Sequence, residues 1–162
     1  MEFTIREAVL EDREEISLIE TESGVIHHAG EPLIFRDDRV PFSEEEFQKI
    51  LEDPDQYLFT AENGEKAVVG FLHARIERFR DSDYFTDHDR LHIESLAVLS
   101  SARRQGVGRA LMKEAEKLSA ALGVQETTLH VWNFNEKAAA LYASEGFRPL
   151  QTLMVKFNEE EK

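Results

Sequence analysis

None of the 162 residues is a cysteine. This excludes disulfides, thiolate metal sites and an acyl-enzyme built on a cysteine nucleophile. No apolar run approaches the roughly 18 residues of a membrane-spanning helix. Basic residues are scarce, with 19 Lys and Arg against 33 Asp and Glu, and the net charge is −14. A field of that sign repels nucleic acid and anionic membranes, so neither is expected as a partner. It suits solubility and a cationic small substrate. The six histidines show no HExxH or comparable ligand spacing. The adjacent His27 and His28 share neither a helix face nor a strand face, so no metal is expected. The opening MEFTIREAVLEDREE lacks the basic and apolar regions of a signal peptide, and a cytoplasmic protein is expected. What remains is 41% hydrophobic, enough for one core. A single domain over 1–157 is expected, followed by a flexible acidic tail, 158–162.

Residues 2–9 alternate as a strand, and Asp12 begins a helix predicted over 12–22. Residues 23–41 carry Gly and Pro without a clear period and read as an irregular connection. Ser43 and Glu46 form a capping box that opens a helix to about residue 53. QYLFTA (56–61) and KAVVGFLHARIERF (66–79) flank Asn63-Gly64, a strong hairpin signal. RLHIESLAVL (90–99) reads as a central strand. A helical period then runs from Gly106 to Leu122, closed by Gly123. ETTLHVW (126–132) is a strand, NEKAAALYASE (135–145) a helix and LQTLMVKF (150–157) a last strand. The expected fold is α/β, with a mixed sheet of hairpins and crossovers.

RRQGVGRAL (103–111) joins the central strand to the next helix. Gly106 and Gly108 allow close backbone approach, and the first helical turn offers unsatisfied N–H donors and a positive dipole end. Together they make an anion site suited to a pyrophosphate. Arg103, Arg104 and Arg109 add positive charge. The loop is neither a Walker loop, which requires Lys-Ser or Lys-Thr, nor a full GxGxxG dinucleotide fingerprint.

The pair formed by RRQGVG and NEKAAALYASEGF (135–147) resembles the GNAT superfamily of acetyl-coenzyme A-dependent N-acetyltransferases. The element order is also similar. The resemblance implies a mixed, mostly antiparallel central sheet flanked by helices, and acetyl transfer to a primary amine of a small cation, peptide or protein. It implies that Arg103, Arg104, Gln105, Gly106, Val107, Gly108 and Arg109 form the loop that holds the coenzyme A pyrophosphate, mainly through backbone N–H groups. Leu96, Ala97 and Val98 match the strand edge that pairs with pantetheine, with an N–H near Val98 facing the developing oxyanion. Asn135 and Ala138 match the coenzyme-facing side of the following helix, although Asn135 also suits a plain N-cap. Tyr142 matches the acid that protonates the departing thiolate, and its alternative is a core tyrosine beside Leu141 and Phe147.

Glu94 matches the base of some polyamine-type relatives. By strand alternation it shares a face with His92, Leu96 and Val98. Its alternative is a salt bridge to Arg75 or Arg78, which leaves His92 or a water chain as base. His28 and Phe35 are the acceptor-side candidates. A homodimer is one assembly the resemblance allows. A non-catalytic acetyl-coenzyme A sensor on the same fold is the competing reading.

Overall fold

The computed structural model describes residues 2–38 and 42–157. The expected acidic tail and residues 39–41 of the irregular connection lie outside the described residues. The elements are β1 (Phe3–Glu7), α1 (Arg13–Gly30), α2 (Glu44–Glu52), β2 (Gln56–Asn63), β3 (Val68–Phe79), β4 (His88–Val98), α3 (Val107–Leu122), β5 (Glu126–Leu129) and α4 (Glu136–Ser144). One sheet runs β1-β2-β3-β4-β5. Its first four strands are antiparallel, and β5 lies parallel to β4. This is the mixed, mostly antiparallel sheet that the sequence implies.

Each sheet face buries its own apolar set. On one face Leu72, Leu91 and Ile93 pack with Val107, Leu111, Met112 and Ala115 of α3. On the other, Leu58, Val68 and Phe71 meet Ile16 and Ile19 of α1 and Phe47 of α2. Each fully buried Leu, Ile or Phe contributes about 1.5–3 kcal/mol. Ser43 caps α2 as expected: its Oγ accepts from Glu46 N at 3.2 Å, and Ser43 N donates to Glu46 Oε2 at 2.9 Å. The Asn63 side chain organises the β2–β3 turn by accepting from Glu65 N and Ala67 N, while Lys66 takes the left-handed conformation at φ 70°.

Three expectations change. Helix α1 does not stop near residue 22 but runs to Gly30. Ile16, Ile19, Glu20 and Gly24 are buried at helical spacing, and this packing outweighs the roughly 1 kcal/mol helix cost of a glycine. Strand β5 ends at Leu129, three residues earlier than expected. The strand expected over 150–157 does not form, and residues 148–157 are exposed throughout. A strand requires an adjacent edge, and in the single chain these residues pair with none.

Candidate active site

The ladder between β4 and β5 is short. Arg90–Ile93 pair with Glu126–Leu129, and beyond that point the strands separate. The β3–β4 register steps from His73↔Ser95 to Ala74↔Ile93, leaving Glu94 as the extra residue of a β-bulge. A bulge bends its strand and increases local twist, which here carries the end of β4 away from β5. The resulting groove has Glu94–Ala97 on one wall and Leu129–Trp132 on the other. Helix α4 contributes Asn135, Ala138 and Tyr142, while α1 and the residues after it contribute Glu20, Ser23, His27 and Phe35.

The bulge also corrects the face on which these side chains lie. Leu96 and Val98 pack in the same core as Leu91 and Ile93, next to α3. They therefore do not share the His92 face, as simple alternation predicts. Their backbones are oriented for the groove. Leu99 N donates to Val69 O, so antiparallel alternation turns the N–H and C=O of Leu96 and Val98 away from β3. The Val98 carbonyl accepts from Arg103 Nε at 2.9 Å. Leu96 and Ala97 line the groove, whereas the Val98 side chain is packed in the core.

The glycine loop lies between the end of β4 and the start of α3. Among the described residues, the backbone N–H groups of Arg104, Gln105, Gly106, Val107, Gly108 and Arg109 have no hydrogen-bond acceptor. The first α3 bond is Ala110 N to Gly106 O. Six consecutive free donors at a helix N-terminus can bind a pyrophosphate. The loop side chains instead serve structure. Arg103 Nη2 reaches Glu22 at 3.0 Å, and Arg109 Nε reaches Glu145 at 2.8 Å. Gln105 donates to Ser101 O. Arg104 alone of the three arginines has no side-chain partner among the described residues, and its own φ is 64°.

The two glycines have different duties. Gly106 sits at φ 87° with open space where a Cβ would stand, so the backbone conformation requires it. A Cβ on Gly108 would stand 3.3 Å from Leu141 Cδ2. Gly108 therefore also lets helix α4 pack closely, a duty beside the one expected of it.

Asn135 is the N-cap of α4, its Oδ1 accepting from Ala138 N at 3.3 Å, and it also borders the groove. Tyr142 lies half-buried against Phe147, with ring centroids 6.1 Å apart. Its hydroxyl has no hydrogen-bond partner among the described residues, and burial raises its pKa above the ordinary phenol value. It is a protonated donor at neutral pH.

Glu94 pairs with Arg75 at 2.5 Å, and Arg75 also holds Glu77 at 2.7 Å. Of the two arginines considered, Arg75 is the partner, while Arg78 pairs with Asp55. His92 stands beside them, buried. Its Nδ1 meets Thr128 Oγ1 at 2.8 Å, and its ring lies edge-on to His130 at 5.0 Å. Desolvation lowers the His92 pKa against the opposing pull of Glu94 and Glu77. The imidazole is therefore neutral at pH 7. A second hollow opens on Glu94, lined by Asp53, Asp55, Gln56, His73 and Arg75. Asp53 is bonded to Gln56 Nε2 and Asp55 N and has no cationic partner among the described residues.

His28 does not line the groove. In a continuous helix adjacent residues project about 100° apart. His27 falls on the groove face with Glu20 and Ser23, while His28 Nδ1 is bound to Phe35 O at 2.7 Å. Phe35 does reach the groove, its ring tilted against His27 at 5.0 Å and edge-on to Trp132 at 4.8 Å. Sequence reasoning missed His27, His130 and Trp132. The Glu20, Ser23, His27 spacing was the available signal for the first. Among the described residues no cluster of three or more His, Asp or Glu side chains converges to hold a metal ion.

The Acetyltransferase (GNAT) family profile matches residues 25–147. Over 88 residues the chain is 38% identical to the N-terminal acetyltransferase complex ARD1 subunit homolog of Dictyostelium discoideum, covering 54% of this chain and 40% of that protein. It is 25% identical over 108 residues to the uncharacterized N-acetyltransferase YycN of Bacillus subtilis, covering 65% of this chain and 64% of that one. The chain thus spans less than two thirds of both relatives. Among solved structures, a mutant of the BH1408 protein from Bacillus halodurans superposes with a TM-score of 0.91 at 22% identity, covering 96% of this chain and 99% of that one. The aminoglycoside acetyltransferase meta-AAC0020, from an uncultured soil metagenomic sample and in complex with sisomicin, superposes at 0.71 and 21% identity, covering 98% and 97%.

Proposed function

Because the chain belongs to the GNAT acetyltransferase family, we propose that it moves an acetyl group from acetyl-coenzyme A directly to a primary amine, both bound at once. One observation carries this reading. The groove between β4 and β5 carries the strand edge of Leu96 and Ala97, the half-buried Tyr142 phenol and the Glu94 carboxylate on its walls, and the loop that follows β4 offers free N–H donors.

Acetyl-coenzyme A supplies an activated acyl carbonyl. The N–H groups of Arg104–Arg109 hold the pyrophosphate, and Asn135 and Ala138 flank the arm. The edge of Leu96 and Ala97 aligns it, and a β4 N–H of Leu96 or Val98 faces the charge that develops on the acyl oxygen. Tyr142 donates its phenolic proton to the leaving sulfur. An ammonium must lose a proton before it attacks, and Glu94 is the proposed acceptor. The Arg75 ion pair already engages that carboxylate, which favours a second reading in which neutral His92 takes the proton and Glu94 attracts the cation. The absence of cysteine supports single-step transfer.

A cationic acceptor is favoured by the net charge of −14 and by the Asp53 carboxylate in the hollow next to Glu94. Polyamines, aminoglycosides and lysine side chains fit that description, and a peptide α-amine is the neighbouring class. The test is an amine panel assayed by free-thiol release, including peptides with free α-amines. The expected outcome is release that depends on a cationic primary amine. Coenzyme A binding with no release for any amine would favour a sensor.

A further inference from the structure

The β3–β4 hairpin ends in a crest that the groove does not use. Its ladder closes at Phe79↔His88, and residues 80–87 cross between the strands. On the crest Tyr84 is 88% exposed and Phe85 55% exposed. Their backbone is held in shape. Ser82 Oγ accepts from Tyr84 N at 3.1 Å and from Phe85 N at 3.0 Å, and Asp87 Oδ1 accepts from Asp81 N at 3.2 Å. The rings are buttressed from below. Tyr84 stands edge-on to Phe85 at 5.0 Å, and Phe85 leans on Phe79 at 6.1 Å. Phe79 is itself stacked on His88 at 4.6 Å, with the Arg90 guanidinium over its ring at 4.6 Å. Such a platform is preformed, so a partner need not order it on binding. Aromatic rings that cover a large area at little conformational cost are what interfaces favour.

The crest is also acidic. Residues 80–89 carry four aspartates and one arginine. Arg80 pairs with Asp89 at 2.6 Å, while Asp81, Asp83 and Asp87 have no cationic partner among the described residues. The platform adjoins the hollow beside the groove. Arg78, one residue before Phe79, pairs with Asp55, which lines the hollow of about 380 Å³ that opens on Glu94. From His88 to Glu94 strand β4 rises roughly 20 Å.

We propose that this track docks a basic polypeptide, with an apolar side chain resting on Tyr84 and Phe85 while one of its lysines reaches Glu94 through the hollow. Charge selects the occupant. The unpaired aspartates attract a cationic chain, whereas nucleic acid, an anionic membrane or a second copy of net charge −14 is repelled. Length selects it again. A small amine fills the hollow without reaching the crest, and about six extended residues span the distance. The fate of the lysine rests on the acetyl-transfer reading; the docking does not.

The test uses the full chain and a fluorescein-labelled, N-terminally blocked peptide of about twelve residues, twice that span, with lysines and leucines among serines. Fluorescence anisotropy is expected to show binding that salt weakens and that a matched peptide with glutamate in place of lysine lacks. The double variant Tyr84→Ser, Phe85→Ser is expected to weaken this binding at least about 10-fold, the loss of an aromatic anchor, with an unchanged far-ultraviolet circular dichroism spectrum. In thiol-release assays the same variant is expected to raise KM for the unlabelled peptide by a similar factor and to leave kcat/KM for a blocked single lysine unchanged. Absence of binding, equal binding of the glutamate peptide, equal affinity in native chain and variant, or an equal loss with the single lysine would each overturn the docking. Anisotropy requires no acetyl transfer, so docking without thiol release from any acceptor would overturn only the catalytic reading.

Discussion

At the scale of single residues, the proposed function separates groups that would bind from groups that would move protons. Tyr142 has a free hydroxyl and an upward-shifted pKa, both suited to donation. Tyr142→Phe is expected to lower kcat by about 10²-fold, the lower end of general acid effects, and to leave coenzyme A affinity unchanged by calorimetry. His92 gives the site a pH signature. Its folded pKa lies below the ordinary imidazole value, so the neutral form dominates at pH 7 and is lost as pH falls through that lowered value. If His92 is the base, kcat/KM falls on the acid side with an inflection below about 6.5, and His92→Gln removes that inflection. If the limb survives in His92→Gln and disappears in Glu94→Gln, the proton goes to the carboxylate. These residues were legible as candidates in the sequence, which also narrowed the Glu94 partner to Arg75 or Arg78 without deciding between them. Glu94 and Arg75 lie on different strands, and only the β3–β4 register brings them together.

At the scale of elements, local signals located the sheet and the helices, whereas packing decided their ends. The Ser43 capping box and Gly123 mark helix ends from within a few residues. The continuation of α1 through Gly24 depends on Ile16 and Ile19 docking on a distant strand face. The bulge at Glu94 left only one trace in RLHIESLAVL, the adjacent polar pair Glu94 and Ser95 that interrupts the alternation, and the partner strand is needed to identify the extra residue. LQTLMVKF has the pattern of a strand, but a strand forms only where an edge receives it. The start of α3 was the most legible element, since left-handed backbone at Gly106 is a local demand. Gly106→Ala forces a Cβ into that conformation at a cost of about 1–2 kcal/mol. A lower thermal midpoint together with weaker coenzyme A binding is the expected result. A Gly106→Ala variant with native stability and affinity would show that the loop does not need this shape.

At the scale of the whole molecule, the acidic chain offers free positive potential mainly through backbone, because two of the three loop arginines are engaged in side-chain ion pairs. On the proposed reading, the coenzyme pyrophosphate would meet the loop N–H donors, and a cationic amine would meet Glu94 and the carboxylates of the hollow beside it. That polarity would let an anionic donor and a cationic acceptor bind together. Initial rates measured while acetyl-coenzyme A and a cationic amine are varied together test this most directly. Intersecting double-reciprocal lines, with thiol release only when amine is present, are the predicted result. Parallel lines, or thiol release without amine, would contradict direct transfer.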